Sequence, residues 1–159
     1  MREARTVIEC PAGRLVIGRR DGALVADWSV SPRCVEPAAQ DDSEAVDLAD
    51  ALRRALAGDE SRLARFPVGA GTAFQRRVWS ACRQVPRGRT QTYGGLAKGL
   101  GLGMGGARAV GQALRRNPLP VLVPCHRIVA VHGQGGYSGE TAGALAQVKK
   151  TLLDLERSA

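Results

Sequence analysis

The sequence changes character at Gly69-Ala70-Gly71, and this break constrains the fold more than any other feature. Before it, short apolar runs separated by turn signals predict strands, and one helical pattern follows them. After it, helical patterns alternate with stretches rich in glycine and proline. A chain of 159 residues can bury one medium domain or two small ones that share an interface. We therefore predict two modules, residues 1–68 and residues 69–159.

The charge divides at the same point. Residues 1–68 hold 10 Lys and Arg against 12 Asp and Glu, whereas residues 69–159 hold 13 against 3. Clustered basic residues attract phosphate backbones through counterion release, whatever the base sequence. A general solubility charge is the alternative explanation, but the sharp segregation favours a nucleic-acid partner for the second module.

The composition argues against a membrane, secreted or metal-binding protein. No apolar run approaches the roughly 20 residues of a membrane span, and residues 1–20 interleave charges with apolar side chains, unlike a signal peptide. The cysteines form no CxxC pair, and the two histidines, His126 and His132, are remote in sequence from Cys10 and Cys34. We therefore expect a cytoplasmic protein with free thiols, no metal site and no membrane partner.

The first module reads as a small sheet followed by a helix. Three strands are expected, at residues 6–9, 15–19 and 23–28, with a turn at Pro11-Ala12-Gly13 and a hairpin at Asp21-Gly22. A helix then begins at a cap formed by Asp42 or Ser43 and stops at Gly58. This pattern predicts an α/β module.

The second module reads as mainly helical. A capping box at Thr72 and Gln75 opens a helix whose predicted buried face is Phe74, Val78, Ala81, Cys82 and Val85. A second helix is expected to start at Thr92 or Tyr93, followed by a glycine-rich connection at 99–106 and a helix at 107–116. The rest of the module is expected to form an extended segment at 119–124, a strand at 128–131 and a closing helix at 142–155. Two helices joined by a turn on a basic segment suggest DNA binding.

The stretch Pro124-Cys125-His126-Arg127 places a thiol beside an imidazole and a guanidinium. A cysteine of ordinary pKa is only a few per cent thiolate at neutral pH, so a nucleophilic thiol needs a base or cation nearby. Adjacent side chains seldom point the same way, and contact between Cys125 and His126 is expected to run through a water. The alternative is a buried apolar cysteine next to a hydrogen-bonded histidine.

The second half of the chain resembles the O6-alkylguanine-DNA alkyltransferase family. The motifs that carry the resemblance are Phe74-Gln75, Val78-Trp79, Thr92-Tyr93-Gly94, Arg108-Ala109-Val110-Gly111, Asn117-Pro118, Val123-Pro124-Cys125-His126-Arg127 and Tyr137-Ser138-Gly139. The first half is similar only in outline. The resemblance implies an α/β (α+β) fold, with an RNase H-like N-terminal module and a winged helix-turn-helix-like C-terminal module.

The resemblance also implies an activity, which is irreversible transfer of an alkyl group from O6-alkylguanine in double-stranded DNA to Cys125, without a cofactor. O4-alkylthymine is a further expected substrate. The family precedent implies minor-groove binding by a monomer, with cooperative binding along DNA left open. A lesion-binding protein that does not repair DNA, a helix-turn-helix regulator and a Cys–His hydrolase are the alternatives.

Roles for individual residues follow from the same resemblance. Cys125 would accept the alkyl group, His126 would remove its proton through water, and Glu156 would orient His126. Tyr93 would hydrogen-bond guanine N3, and Asn117 would brace the active-site turn. The carbonyls of Cys125 and Ile128 would accept from the guanine amino group. The Ser138 amide would face O6, and Tyr137 would line the pocket. Without the resemblance, Tyr93 would be read as packing at a helix start.

The helical wheel supports Glu156 independently. Leu145, Val148, Leu152 and Glu156 fall on one arc of about 80° at 100° per residue, so the carboxylate extends an apolar stripe. A carboxylate on a buried face needs a partner. The alternative is a frayed helix end, from which Glu156 reaches water or Lys149.

The helix at 107–116 has two unlike faces. Arg108 matches the family residue that fills the stack left by an extruded base, and Ala107, Gly111, Gln112 and Arg115 share its face. Small residues suit a groove only about 6 Å wide. An arginine on an ordinary solvated face is the alternative.

The sequence also departs from the family pattern. The interval from Tyr93 to Arg108 is one residue longer than in familiar members, across the glycine-rich 99–106 segment, and the turn at 131–136 is shortened. Glu140 and Thr141 are expected to place a carboxylate near the pocket rim.

Overall fold

The computed structural model describes residues 5–31 and 33–158. In the first module, β1 (Val7–Cys10), β2 (Gly13–Arg20) and β3 (Ala23–Trp28) form an antiparallel sheet in that order. The predicted hairpin is confirmed, because Arg20 pairs with Ala23 and both turn residues, Asp21 and Gly22, have positive φ.

One helix, α1 (Ser43–Leu56), covers this sheet. Asp42 caps it by accepting from the Ala45 amide at 3.2 Å. Its buried face consists of two leucines among four alanines, namely Ala45, Leu48, Ala49, Ala51, Leu52 and Ala55. A 3₁₀ turn, Leu63–Arg65, leads to the second module.

The second module contains four α-helices and a two-stranded parallel ladder within the described residues. Its elements are α2 (Ala73–Cys82), β4 (Gln91–Thr92), α3 (Tyr93–Gly99), α4 (Gly106–Arg115), a 3₁₀ turn (Cys125–Arg127), β5 (Ile128–Val129) and α5 (Ala144–Arg157). The predicted capping box is confirmed: Gln75 accepts at its side chain from the Thr72 amide, and Thr72 accepts from the Gln75 amide. The predicted α/β fold is therefore correct in type and order of elements.

The predicted buried face of α2 needs correction at Phe74. This residue lies in the first turn and is 36% exposed, whereas Trp79 is buried and donates from Nε1 to the Ala113 carbonyl at 2.8 Å. The tryptophan fills the core because α4 packs against that side of α2. Val78, Cys82 and Val85 are buried as predicted.

The segment 119–124 forms a turn and is not extended as predicted. Val121 has φ of 74°, and the Val123 amide donates to the Leu119 carbonyl at 2.9 Å. Proline disfavours helical conformation only at itself and at the preceding residue. Val121 and Leu122 are outside that restriction, so the chain reverses there.

A continuous apolar core joins residues of both modules. The Ala26 amide on β3 donates to the Pro118 carbonyl at 2.8 Å, which ties the sheet to the turn that precedes Cys125. Among the described residues, no helix has the length and apolarity needed to cross a bilayer. The division after residue 68 stays a prediction.

Candidate active site and nucleic-acid interface

Cys125 opens a 3₁₀ turn and is 6% exposed. It lines a cavity of about 250 Å³ that lies between α4 and the 136–141 loop. The other lining residues are Tyr93, Gly111, Gln112, Leu114, Arg115, Gly136, Tyr137, Ser138, Gly139 and Thr141. The cavity is smaller than the ~300–1,000 Å³ of a typical drug-sized pocket and suits one planar base.

Asn117 braces the turn that carries the thiol. Its Nδ2 donates to the Val123 carbonyl at 2.9 Å and to Cys125 Sγ at 3.3 Å, while its Oδ1 accepts from the Leu119 amide at 3.0 Å. One side chain therefore ties the start of the turn to its end and to the sulfur.

His126 lies directly behind the thiol on the same turn and is 1% exposed. Its Nε2 is 2.7 Å from Glu156 Oε1. The structure confirms that α5 stays helical to Arg157 and that Glu156 continues its buried stripe. Since an ionised carboxylate can only accept, Nε2 carries the hydrogen and Nδ1 holds the free lone pair.

Arg127 points away from the thiol and towards Glu156. Its Nε and Nη2 donate to the two carboxylate oxygens at 3.0 and 2.8 Å, and its Nη1 donates to the Val85 carbonyl at 2.9 Å. The Gly88 amide adds a fourth donor to Glu156. Although burial alone would raise the pKa of Glu156, donation from His126 and Arg127 holds that pKa well below its usual range.

The pKa of the Cys125 thiol is shifted in the opposite direction, upwards. Burial raises the pKa of Cys125, and the hydrogen bond from Asn117 and the charge of Lys149 only partly oppose this rise. Burial also lowers the pKa of His126, against the pull of Glu156. The pKa of Cys125 is thus raised and that of His126 lowered, and both shifts favour the neutral form of the side chain.

Tyr93 and Lys149 share an acceptor at the cavity wall. The Tyr93 hydroxyl donates to the Gly136 carbonyl at 3.1 Å, and Lys149 Nζ donates to the same carbonyl at 2.9 Å and to the Ile128 carbonyl at 2.6 Å. Burial raises the pKa of Tyr93 to about 12 and lowers that of Lys149 to about 8. Tyr93 thus keeps its proton at neutral pH.

Two further predicted residues line the cavity. Tyr137 is buried, and its hydroxyl oxygen accepts from Trp28 Nε1 at 3.1 Å, so the first module supports the pocket wall. Ser138 has φ of 49°, inside a tight turn closed by hydrogen bonds between Tyr137 and Glu140. The Ile128 side chain is fully buried, and its carbonyl accepts from Lys149.

Helix α4 presents the predicted two faces. Val110, Ala113 and Leu114 are buried against the core, whereas Ala107, Arg108, Gln112 and Arg115 are exposed. A Cβ at Gly111 would lie 3.9 Å from the Tyr93 ring, so the helix passes close over the cavity. The exposed face of α4 and the opening of the cavity therefore form one surface.

Glu140 is not among the residues that line the cavity, although its neighbour Gly139 is, and its place near the rim stays a prediction. Its Oε2 accepts from the Leu145 amide at 3.2 Å, which satisfies a free donor at the start of α5. Thr141 does line the cavity. A larger cavity, of about 420 Å³, lies behind the Cys125 turn and includes Glu60, Arg83 and Arg127 but not the thiol.

A family model described as "6-O-methylguanine DNA methyltransferase, DNA binding domain" matches residues 73–158, more than half of the chain. The chain belongs to this family. The predicted resemblance is confirmed.

Relatives of this alkyltransferase cover almost its whole length. A methylated-DNA–protein-cysteine methyltransferase of Mycolicibacterium paratuberculosis is 36% identical over 99% of this chain and 93% of its own length. The constitutive methylated-DNA–protein-cysteine methyltransferase of Bacillus subtilis is 32% identical over 96% and 94%.

Solved structures agree with the fold of the alkyltransferase. The crystal structure of Mycobacterium tuberculosis OGT in complex with DNA is 32% identical, with a TM-score of 0.66 over 96% of this chain and 91% of that one. The O6-methylguanine-DNA methyltransferase of Pyrococcus kodakaraensis is 28% identical, with a TM-score of 0.64 over 94% and 96%. The predicted two-module fold and the enzyme class are thus confirmed.

Several residues of the alkyltransferase site escaped sequence reasoning. Lys149 was considered only as a surface partner for Glu156, and Trp28 and Glu60 were not considered at all. Lys149 does lie on the buried stripe of α5, one residue after Val148, so its position on the helical wheel could have revealed it. Trp28 and Glu60 belong to the other module, and no local signal links them to Cys125.

Proposed function

We propose that the alkyltransferase repairs O6-alkylguanine in double-stranded DNA by moving the alkyl group to Cys125 Sγ. The observation that carries the proposal is the thiol at the floor of a base-sized cavity, on the same turn as an imidazole that is 2.7 Å from a buried carboxylate. Alkyl transfer to a protein cysteine is the activity for which its relatives are named.

The thiol loses its proton to His126 through one water. His126 Nδ1 is buried and has no hydrogen-bond partner among the described residues. Buried polar atoms normally find a partner, so this nitrogen is suited to bind a bridging water. Glu156 stabilises the resulting imidazolium and fixes the ring orientation.

The thiolate then attacks the alkyl carbon. A sulfur–carbon bond forms as the carbon–O6 bond breaks, and the bonding electrons leave with the base. Tyr93 supplies a proton to guanine N3, so the protein gains an alkyl group and loses one proton overall. The carbonyls of Cys125 and Ile128 accept from the guanine amino group, and the Ser138 amide faces O6. The product is a stable thioether, so Cys125 is not regenerated and each protein molecule acts once. The transfer uses no cofactor.

The lesion reaches the cavity by base flipping. Atom O6 lies inside a stacked duplex, and extrusion costs a few kcal/mol. The small, basic face of α4 enters the minor groove through Ala107, Gly111, Gln112 and Arg115, and Arg108 occupies the vacated stack. Minor-groove contacts are nearly independent of sequence, which suits inspection of any site. We expect one protein molecule per lesion, whether or not neighbouring molecules bind cooperatively.

The test is a duplex oligonucleotide containing O6-methylguanine, followed by peptide mass spectrometry. We expect one methyl group per protein, on Cys125, and none on the exposed Cys34. Cys125→Ala should bind the duplex with unchanged affinity and transfer nothing, and Cys34→Ala is the matched control. Multiple turnover would indicate a hydrolase, and tight binding without methylation would indicate a lesion-binding protein.

A further inference from the structure

Glu60 belongs to the first module, yet its carboxylate reaches the catalytic centre. It contacts Nη2 of Arg127, the same nitrogen that donates to Glu156 Oε1 at 2.8 Å. Arg127 is thus held between two carboxylates that are far apart in the sequence. A continuous series of hydrogen bonds runs from Glu60 through Arg127 and Glu156 to His126.

Glu60 and His126 also line the same small cavity. The side chains of Glu60, Arg87, His126 and Glu156 line this space, which holds about 10 Å³. The Glu60 side chain is 32% exposed, because its other side borders the larger cavity of about 420 Å³. Its charge is therefore partly shielded from solvent and directed at the buried cluster.

The charges around His126 come from four parts of the fold. Cations approach from its own turn (Arg127), from the loop after α2 (Arg87) and from α5 (Lys149). The anions are Glu156 on α5 and Glu60 ahead of the Leu63–Arg65 turn. With Glu60 removed, three cations would face a single carboxylate.

We propose that Glu60 is a positioning residue for alkyl transfer, which acts through Arg127 to hold Glu156 against His126 and supplies the second negative charge that lets His126 accept a proton. The proposal rests on the function proposed above. His126 gains a positive charge when it deprotonates Cys125, and a buried site with surplus cations opposes that step. Glu60 also neutralises part of the positive charge of Arg127. More of the negative charge of Glu156 is therefore available to stabilise the imidazolium of His126.

The test compares single-turnover methyl transfer by wild type, Glu60→Gln, Glu60→Asp and Glu44→Gln over about pH 5 to 9, with protein saturating the O6-methylguanine duplex. Glutamine is nearly isosteric and can still accept from Arg127. Glu44 lies in the same module, where it pairs with Arg19 at 2.8 Å on the surface, so its variant controls for a general loss of negative charge.

We expect Glu60→Gln to be about tenfold slower at neutral pH with unchanged duplex affinity, and its acid limb to move to lower pH, because a lost anion makes His126 a weaker base. Glu60→Asp should recover part of the rate, and Glu44→Gln should match wild type. A merely structural role predicts the reverse shift, because loosening admits water and raises the pKa of His126 towards its ordinary value.

An unchanged rate, or an acid limb that moves to higher pH, would overturn the proposal. Failure of both Glu60 variants to fold would also overturn it, since the residue would then be structural. These outcomes are separate from the function itself, which wild-type methylation of Cys125 decides.

Discussion

Glu156 and Cys125 are two buried acids of this alkyltransferase whose pKa values are shifted in opposite directions. The difference comes from the groups that donate hydrogen bonds to them. Glu156 accepts hydrogen bonds from two cationic or polarised side chains and one amide, which hold its pKa low despite burial. Cys125 accepts from the amide of Asn117, and burial dominates its pKa. Such divergence is the pattern expected for a permanent anion and a group that ionises during the proposed reaction.

Glu156→Gln should destabilise the protein by about 3 kcal/mol at neutral pH, because it removes the buried carboxylate that accepts from Arg127 and leaves only the partly exposed Glu60 to balance that cation. The folded-state pKa of Glu156 lies below its unfolded value of about 4.3, so its stabilisation is present above that pH and is lost as the pH falls below it. The variant should therefore lose less stability than wild type between pH 7 and about pH 3. Urea unfolding at both values measures this.

Asp154→Asn is the control for this change, since Asp154 is an exposed residue of α5 paired loosely with Arg157 at 3.8 Å. It should alter stability by no more than about 0.5 kcal/mol. Equal acid sensitivity in wild type and Glu156→Gln would contradict the low pKa assigned to Glu156.

The turn from Asn117 to Cys125 is the element that presents the sulfur. A β-branched residue, Val121, adopts positive φ there, which costs of order 1–3 kcal/mol and persists only where the surroundings enforce it. Asn117 provides that enforcement through three hydrogen bonds. The conformation of the turn and the environment of the thiol thus depend on one side chain.

Asn117→Asp should weaken both roles, because it removes the donor to the Val123 carbonyl together with the donor to the sulfur. The carboxylate can still accept from the Leu119 amide, but it would place a negative charge about 3.3 Å from the sulfur, where an amide donor now lies. The pKa of Cys125 should rise further, and methyl transfer at neutral pH should fall by about 100-fold, with a stability loss of only about 1–2 kcal/mol. The pH dependence of Cys125 alkylation by iodoacetamide reports the thiol pKa, and a fall in that pKa would refute the expectation.

Helix α4 has one face in the core and another at the opening of the cavity. Gly111 lies on its exposed side next to the Tyr93 ring, where a Cβ meets ordinary van der Waals contact at 3.9 Å. The helix conformation does not require glycine there, since residue 111 is not among the glycines with positive φ. The proposed entry of α4 into a narrow groove would account for a small residue at this position.

Gly111→Ala and Gly111→Leu should both stabilise the isolated protein by about 0.5–1 kcal/mol, because glycine is the poorer helix former. Duplex affinity should respond differently, with Ala close to wild type and Leu at least about tenfold weaker. Thermal melting and fluorescence anisotropy measure the two properties. Normal duplex binding by Gly111→Leu would show that this face of α4 stays outside the groove.

The segregation of charge between the modules acts at the scale of the whole molecule. The second module carries a large excess of cations, while the first is nearly neutral and supports the site from behind through Trp28 and Glu60. A uniform basic surface would bind DNA in many orientations. The asymmetry favours encounters in which α4 and the cavity face the duplex.

Salt should weaken duplex binding steeply. If about five phosphates are contacted, the logarithm of the association constant should fall with the logarithm of salt concentration with a slope of about −4.5. Arg115→Gln should reduce that slope by about 1, whereas Glu44→Gln in the first module should leave it unchanged. A slope near zero for wild type would exclude backbone neutralisation as the source of affinity.

Much of the molecule follows from local sequence signals. The hairpin at Asp21-Gly22, the capping box at Thr72 and the two faces of α4 depend on residues within a few positions of each other, so periodicity and turn chemistry predict them. Cys125, His126 and Glu156 were also predicted, by motif and by helical wheel. Two predictions were wrong, namely the burial of Phe74 and the extended conformation around Val121, because packing between distant segments decides both.

The sequence by itself determined the order of elements, the basic second half and the adjacent Cys125 and His126, since each is a property of neighbouring residues. Only the tertiary structure decided that Glu60 meets Arg127, that Trp28 meets Tyr137, and that Lys149 is buried beside Tyr93. Electrostatic and hydrogen-bond energies depend on distance and on exclusion of water, and the fold sets both for residues separated by tens of positions along the chain.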